Sequence, residues 1–303
     1  MRVAVLAGGL GGSRFALALT EALSPGDVTV VGNVGDDLEV AGLHVSPDLD
    51  TIVYTLAGVL DTDRGWGRAQ ETWNAREIAE ELGAETWFQL GDRDLGLHLA
   101  RTEALLDGEP LSSVTARIAR ALGVEAAVLP ATDDRLRTWV ATPAGELSFQ
   151  EWFVRRQHRD EVDGVRFEGA EDARPAPGVL ETLAAADLIA IAPSNPFVSI
   201  GPTLAVEEIR AALENRRAPA IAVSPLIAGR AVRGPADRML ERLKGGTSPN
   251  QVTQCYKGLI YALVVDEADA DEEAGIETIV TRTLMSDADA RRRLAEAVLA
   301  VPV

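Results

Sequence analysis

The strongest constraint on the fold lies in the first two dozen residues. A short apolar run, Val3 to Leu6, passes into Ala7–Gly8–Gly9–Leu10–Gly11–Gly12–Ser13–Arg14, and an amphipathic stretch, Phe15 to Leu23, follows. Glycine lets a backbone turn sharply and approach another group without a Cβ in the way. A strand that turns through glycines into a helix predicts a βαβ unit. The N-terminus of that helix offers unpaired N–H groups and a partial positive charge to an anion. Ser13 could cap the helix or donate to a phosphate oxygen, and Arg14 could pair with the same anion. The spacing is not G-x-G-x-x-G, because Arg14 occupies the last position counted from Gly9, and it is not G-x-x-x-x-G-K-[ST]. The turn therefore predicts neither an ordinary NAD enzyme nor a P-loop ATPase. A tight turn without a ligand is the plain alternative.

The rest of the chain repeats this rhythm. Val28 to Val31, Ala126 to Leu129, Leu188 to Ile191 and Ala220 to Val223 are short, apolar and bounded by turn residues, as strands buried on both faces are. Helical patterns such as Leu204 to Leu213 lie between them. The expectation is an α/β, Rossmann-like, mostly parallel sheet with helices on both faces. Two regions break the pattern. Residues 60–125 read as a helical insertion, with Asn74 to Leu82 and Ser112 to Leu122 the clearest helices. Residues 136–154 read as a β-hairpin insertion: Thr138 to Ala141, a turn at Pro143–Gly145, then Glu146 to Phe153. The 303 residues are read as a single α/β domain carrying both insertions.

The formal charge of −18 argues against a nucleic-acid binder, which needs a basic footprint, and against attachment to anionic lipid. No apolar run approaches membrane-spanning length. One cysteine, Cys255, permits neither an intrachain disulfide nor a cysteine-rich metal site and points to a reducing cytosol. Six carboxylates in the eight residues Asp266 to Glu273 read as a solvated loop.

Acidic residues also follow the second strand, in Asn33–Val34–Gly35–Asp36–Asp37 and Pro47–Asp48–Leu49–Asp50–Thr51. In an open parallel sheet, ligands sit beyond the carboxyl ends of strands, so these acids are placed near the phosphate turn. Carboxylates beside a diphosphate suggest Mg²⁺, which needs only one or two when phosphates and waters supply the remaining ligands. Capping of turns or helices and direct substrate contact are the competing roles. Asp92–Arg93–Asp94 with His98 is either an ion-pair network ordering a loop or part of a ligand site. No Ser-His-Asp or Cys-His set is visible.

Taken together the motifs resemble the 2-phospho-L-lactate transferase family of coenzyme F-420 biosynthesis. The resemblance rests on GGLGGSRF at 8–15, NVGDD at 33–37, SPDLDT at 46–51, LGDRDL at 90–95, LPATDD at 129–134, FQEWFV at 149–154, APSNPFVSIGP at 192–202 and SPLIAGRAVRGPADRM at 224–239. It extends over roughly residues 1–260, and DRGWGRAQETWNA at 63–75 looks most like the actinobacterial branch, which implies a phosphoenolpyruvate-type donor. The resemblance implies a transferase that moves an enolpyruvyl-phosphate or 2-phospholactyl group from a guanosine diphosphate-type donor to the ribityl hydroxyl of 7,8-didemethyl-8-hydroxy-5-deazariboflavin, releasing GMP. It further implies Mg²⁺ and a homodimer. Gly9, Gly11, Gly12, Ser13 and Arg14 are expected at the donor phosphates, and Ser194 and Asn195 at the nucleotide. Asp37 and Asp50 are expected at Mg²⁺ or the acceptor hydroxyl, with Asp50 the catalytic candidate and Asp50 and Gln89 at the deazaflavin. Gln89 stands where many archaeal members carry a basic residue. Two rival readings are a sugar nucleotidyltransferase, suggested by LAGG at 6–9, and a nucleotide-sugar-binding regulatory protein of related fold.

Overall fold

The structure, a computed structural model, describes residues 1–301. Seven strands form its central sheet: β1 (Val3–Ala7), β2 (Val28–Gly32), β3 (Ala127–Pro130), β4 (Leu188–Ile191), β5 (Ala220–Val223), β6 (Ala262–Asp266) and β7 (Glu277–Thr281). Their spatial order is β7-β6-β5-β4-β1-β2-β3. Every neighbouring pair is parallel. The chain steps outward from β1 to β3, then returns to lay β4 against the other side of β1. The order thus reverses between β1 and β4, and this is where an α/β sheet opens a crevice for a ligand. β1, β4, β5 and β6 are buried along their whole length, which is why they read as unbroken apolar runs.

Five helices matter for the site: α1 (Gly9–Ala22), α2 (Pro47–Leu56), α3 (Asn74–Glu81), α4 (Asp92–Leu106) and α5 (Leu111–Ala121). α1 starts at Gly9, six residues earlier than its apolar pattern suggests, so the glycine turn is itself the first turn of the helix. It packs against α2 and the C-terminal helix Ala288–Leu299, which Arg291 ties to Glu21.

The insertions differ from the sequence reading in instructive ways. α3 and α5 fall within a residue of expectation, but α4 is a further helix of fifteen residues. The expected hairpin is Arg137–Thr142 against Gly145–Ser148, and a third strand, Gly164–Glu168, completes it as a three-stranded sheet. Its second strand ends at Ser148, and Glu151–Arg155 form one π-helical turn instead of continuing it. That turn buries Trp152 fully with Phe149 in a small core beside Val140, Val162, Val198 and Met239. A strand would have pointed Phe149 and Trp152 to opposite faces. The Leu204–Leu213 pattern is divided into two helices, Gly201–Ala205 and Glu207–Glu214.

The acidic segment is not simply a solvated loop. Asp266 accepts from the N–H and hydroxyl of Thr283, and Asp269 accepts from the N–H groups of Ala228 and Gly229; both side chains are buried. They brace the loops at the carboxyl ends of the sheet, while Asp271, Glu272 and Glu273 stay exposed. Among the described residues no helix is long and apolar enough to cross a membrane.

Candidate active site

At the switch point, the loops after β1, β2, β4 and β5 and the inserted helices enclose a cleft of about 950 Å³. That lies within the size range of small-molecule sites. Its floor is the glycine turn of residues 8–12. Gly8 precedes α1, and a Cβ there would sit 2.5 Å from the Asp48 carboxylate and 2.6 Å from the Ser199 carbonyl. A Cβ on Gly11 would sit 2.6 Å from the Pro193 carbonyl. These glycines are therefore needed for close approach of backbone to backbone across the β1–β4 junction. α1 has no acid of its own in its first turn, but the Asp48 carboxylate of α2 reaches its start and accepts from the Gly9 N–H.

The residues expected at the donor divide into two groups. Gly9, Gly11 and Arg14 line the cleft. Ser13 does not. Its hydroxyl donates to the Leu10 carbonyl and accepts from Thr55, joining α1 to α2. Gly12 is buried against Ala7 and Ser194. Ser194 and Asn195 stand just beyond β4 and border the cleft, but their polar groups hold the loop. The Ser194 hydroxyl donates to the Gly8 carbonyl at 2.7 Å, and the Asn195 side chain accepts from the Phe197 N–H at 2.9 Å.

Two carboxylates face each other beside the turn. The Asn33 amide donates to Asp36 at 3.0 Å and to Asp48 at 2.9 Å, and all three side chains are buried. Burial, followed by the opposing acid, holds the Asp36 carboxyl well above the usual range, and burial likewise raises Asp48. The other donors are neutral too, the Gln150 amide 3.5 Å from Asp36 and the Gly9 N–H at Asp48, so the pair is short of positive charge. Asp37 is turned elsewhere. One of its oxygens accepts from Ser46 at 2.8 Å and lies 3.0 Å from His44, and the other is buried without a partner. Among the described residues no group of three or more acid, histidine or cysteine side chains is arranged around a common point.

Asp50 sits in the first turn of α2 and borders the cleft, with both oxygens engaged by Arg101 of α4. Arg101 is 1% exposed, so this is a buried, bidentate ion pair. His98, one turn earlier on α4, lies 3.3 Å from the Arg101 guanidinium. Burial pushes His98 down to about 4, and it stays neutral. The Tyr54 hydroxyl donates to Asp94 at 2.8 Å, and burial pushes Asp94 up to about 6.

Neither a plain ion-pair network nor a plain ligand site describes the D-R-D segment. Asp92 accepts from Thr72, Asn74 and Ala75 and so caps α3; these bonds, that of Thr72 first, hold its carboxyl down to about 2. Glu71 returns the favour by accepting from the N–H groups of Arg93 and Asp94 at the start of α4. This reciprocal capping fixes the segment just before α4, where Gln89 lies exposed on the cleft wall. Further lining residues escaped the sequence reading. Trp66, Trp87, Phe88, Phe149 and Phe153 form an aromatic wall, Arg233 enters from the loop after β5, and Thr283 to Ser286 enter from the segment after β7. The FQEWFV and GRAVRGPADRM motifs carried the signal for Phe149, Phe153 and Arg233.

A doubly wound α/β sheet with a glycine turn, paired carboxylates and aromatic side chains at its switch point has the form of an α/β enzyme's ligand cleft. A family model described as 2-phospho-L-lactate transferase CofD matches residues 3–301. The chain belongs to the CofD family and is a transferase of that family. It is 42% identical over 311 residues to the phosphoenolpyruvate transferase of Streptomyces coelicolor, covering 99% of this chain and 97% of that protein. It is 39% identical to the phosphoenolpyruvate transferase of Mycolicibacterium smegmatis, covering 98% and 97%. A solved UPF0052 family protein from Bacillus halodurans has the same fold, with a TM-score of 0.65, 17% identity and 98% of each chain covered. The family match runs beyond the expected limit near residue 260 to take in β6, β7 and the C-terminal helix.

Proposed function

We propose that this protein transfers an enolpyruvyl-phosphate group, or its 2-phospholactyl counterpart, from a guanosine diphosphate-type donor to the ribityl hydroxyl of 7,8-didemethyl-8-hydroxy-5-deazariboflavin, within coenzyme F-420 biosynthesis. The naming of its actinobacterial relatives favours the enolpyruvyl form. One observation carries the reading. A single cleft brings the phosphate turn, the Asp36–Asp48 pair, Asp50 and Gln89 together beside an aromatic wall.

In the reaction, the acceptor hydroxyl oxygen forms a bond to the phosphorus that bears the enolpyruvyl group. The bond from that phosphorus to the bridging oxygen breaks, GMP leaves with that oxygen, and the hydroxyl proton passes to solvent. Such a transfer is mainly positioning and charge neutralisation, which explains a site without a nucleophile. Donor phosphate lies at the glycine turn that starts α1, along Gly9 and Gly11, and Arg14 stands further along the same helix. Asp50, fixed by Arg101, accepts a hydrogen bond from the ribityl hydroxyl with its remaining lone pairs. Gln89 contacts the deazaflavin, and the aromatic wall offers faces on which a planar tricycle stacks.

The family implies Mg²⁺, and the residues fit a hard cation. Arg101 already neutralises Asp50, while Asp37 keeps one buried oxygen without a partner. Asp36 and Asp48, under-compensated and beside the glycine turn, and the free oxygen of Asp37 are the groups that would hold the ion, with donor phosphate and water completing its shell. When bound, the ion neutralises phosphate charge. A homodimer in a reducing cytosol completes the proposal.

A fluorescence titration tests the acceptor side. Deazaflavin emission changes on mixing with the protein, and Gln89→Ala weakens the titration without altering GMP binding. An unchanged spectrum at saturating protein defeats the acceptor assignment.

A further inference from the structure

Arg14 and Arg233 meet at one wall of the cleft with no acid within ion-pair distance of either among the described residues. Most other arginines that approach the cleft have a partner: Arg64 pairs with Asp61, Arg155 with Glu85, and Arg101 with Asp50. The two free guanidiniums are held together deliberately by the fold. Leu10 and Arg14 are four apart on α1 and share a helix face. Gly65 packs onto that face, because a Cβ there would run into the Arg233 guanidinium and lie 3.1 Å from Leu10. Gly65 has φ +77°, so the position demands glycine by conformation as well as by space. Arg233 also donates to the Arg64 carbonyl at 3.4 Å, which ties it to the loop of residues 61–68 while it stays exposed. Burial, then the nearby Arg233 charge, lowers the Arg14 guanidinium from its ordinary value.

Two neighbouring guanidiniums with no acid partner, one part-buried and one exposed, in a protein of charge −18, make this a place that favours an anion. This place adjoins the glycine turn. Gly9 begins α1, and the Arg14 backbone is five residues further on, about 7.5 Å along the axis, with its side chain leaning back toward the N-terminus. A ligand that serves both places carries a phosphate and a second anion only a few bonds away.

We infer that Arg14 and Arg233 form a carboxylate subsite, which reads the acid group carried by the transferred phosphate. The planar guanidinium fork matches a carboxylate by two parallel hydrogen bonds. The inference rests on the proposed donor but not on the acceptor. It makes the subsite the determinant that restricts transfer to phosphates bearing an acid.

Calorimetric binding of simple probes tests it: phosphoenolpyruvate, which carries both anions; methyl phosphate, which carries only phosphate; and GMP. The wild-type protein binds phosphoenolpyruvate more tightly than methyl phosphate. Arg233→Met weakens phosphoenolpyruvate by about tenfold or more and leaves methyl phosphate and GMP within about twofold, while Arg233→Lys recovers part of the loss. Equal losses for phosphoenolpyruvate and methyl phosphate would make Arg233 a phosphate contact and overturn the inference. So would an unchanged phosphoenolpyruvate affinity, or a wild-type protein that does not distinguish the two probes. Gly65→Ala, which displaces Arg233 without removing it, gives a loss of the same selectivity. Failure of the acceptor assignment has a different signature: selective phosphoenolpyruvate binding persists while no deazaflavin product forms.

Discussion

Asp50 shows how a catalytic candidate and a structural group coincide. Its partner Arg101 is 1% exposed, so removing the carboxylate charge strands a buried guanidinium. Breaking such a pair costs about 3–5 kcal/mol, whereas replacing both partners by apolar groups is often neutral. Asp50→Asn is therefore expected to abolish transfer and to lower the melting temperature. Asp50→Leu combined with Arg101→Met restores much of the stability and none of the activity. A double variant that regained turnover would remove Asp50 from the mechanism. The same neighbourhood sets an opposed pair of pH effects. His98, facing Asp50, Arg101 and His44, titrates near 4 in the folded protein, against about 6.5 unfolded. The unfolded chain binds the proton first, so this contribution to stability is lost as pH falls from about 6.5 toward 4. Asp94, facing Tyr54, Glu71, Asp50 and Arg68, titrates near 6, against about 3.9 unfolded. Here the folded state binds the proton first, so stability falls as pH rises from about 4 to 6. The two slopes oppose each other in wild type. His98→Gln exposes the Asp94 slope, and chemical denaturation of that variant shows greater stability at pH 4 than at pH 6 relative to wild type. A variant with the wild-type profile contradicts the assignment of His98.

At the scale of elements, the decisive joint is the one between β1, α1 and the loop after β4. Gly11→Ala places a methyl group 2.6 Å from the Pro193 carbonyl, and backbone on both sides must move. Weakened GMP binding and a lower melting temperature are expected, while Gly26→Ala, with nothing within 4 Å of its Cβ, serves as the silent control. Equal behaviour of the two variants would mean that the close approach at Gly11 is not needed. This joint was legible in the sequence because glycine clusters mark backbone proximity directly. Five of the seven sheet strands were legible too, as apolar runs between turn residues. β6 and β7 were not. β7 has a mixed burial pattern, and β6 runs straight into the acids of 266–273, whose local composition reads as loop although Asp266 and Asp269 are braces. α2 and α4 escaped because their first turns hold Asp48, Asp50, Asp92 and Asp94. Acids favour helix N-termini, but without the fold the same residues read equally as ligands.

Viewed whole, a protein of charge −18 nevertheless places positive groups without acid partners at its cleft. The N-terminus of α1, Arg14 and Arg233 all border the switch-point cleft, with the Asp36–Asp48 pair beside them. Of the residues singled out in the sequence, Gly9, Gly11, Arg14, Asp50 and Gln89 line the cleft. Ser13, Ser194 and Asn195 were visible as polar residues in the right segments, but only the packed structure shows their groups engaged in holding α1, α2 and the loop after β4 together. On the proposed homodimer, sedimentation equilibrium is expected to return the mass of two chains, and a single-chain mass at micromolar concentration contradicts it. The central claim is tested most directly by one turnover measurement. The protein is incubated with the deazaflavin, Mg²⁺ and the guanylylated phosphoenolpyruvate donor, and the products are read by mass. The expected result is GMP together with a deazaflavin heavier by one enolpyruvyl-phosphate group. An unmodified deazaflavin, with the donor intact or merely hydrolysed, would contradict the account.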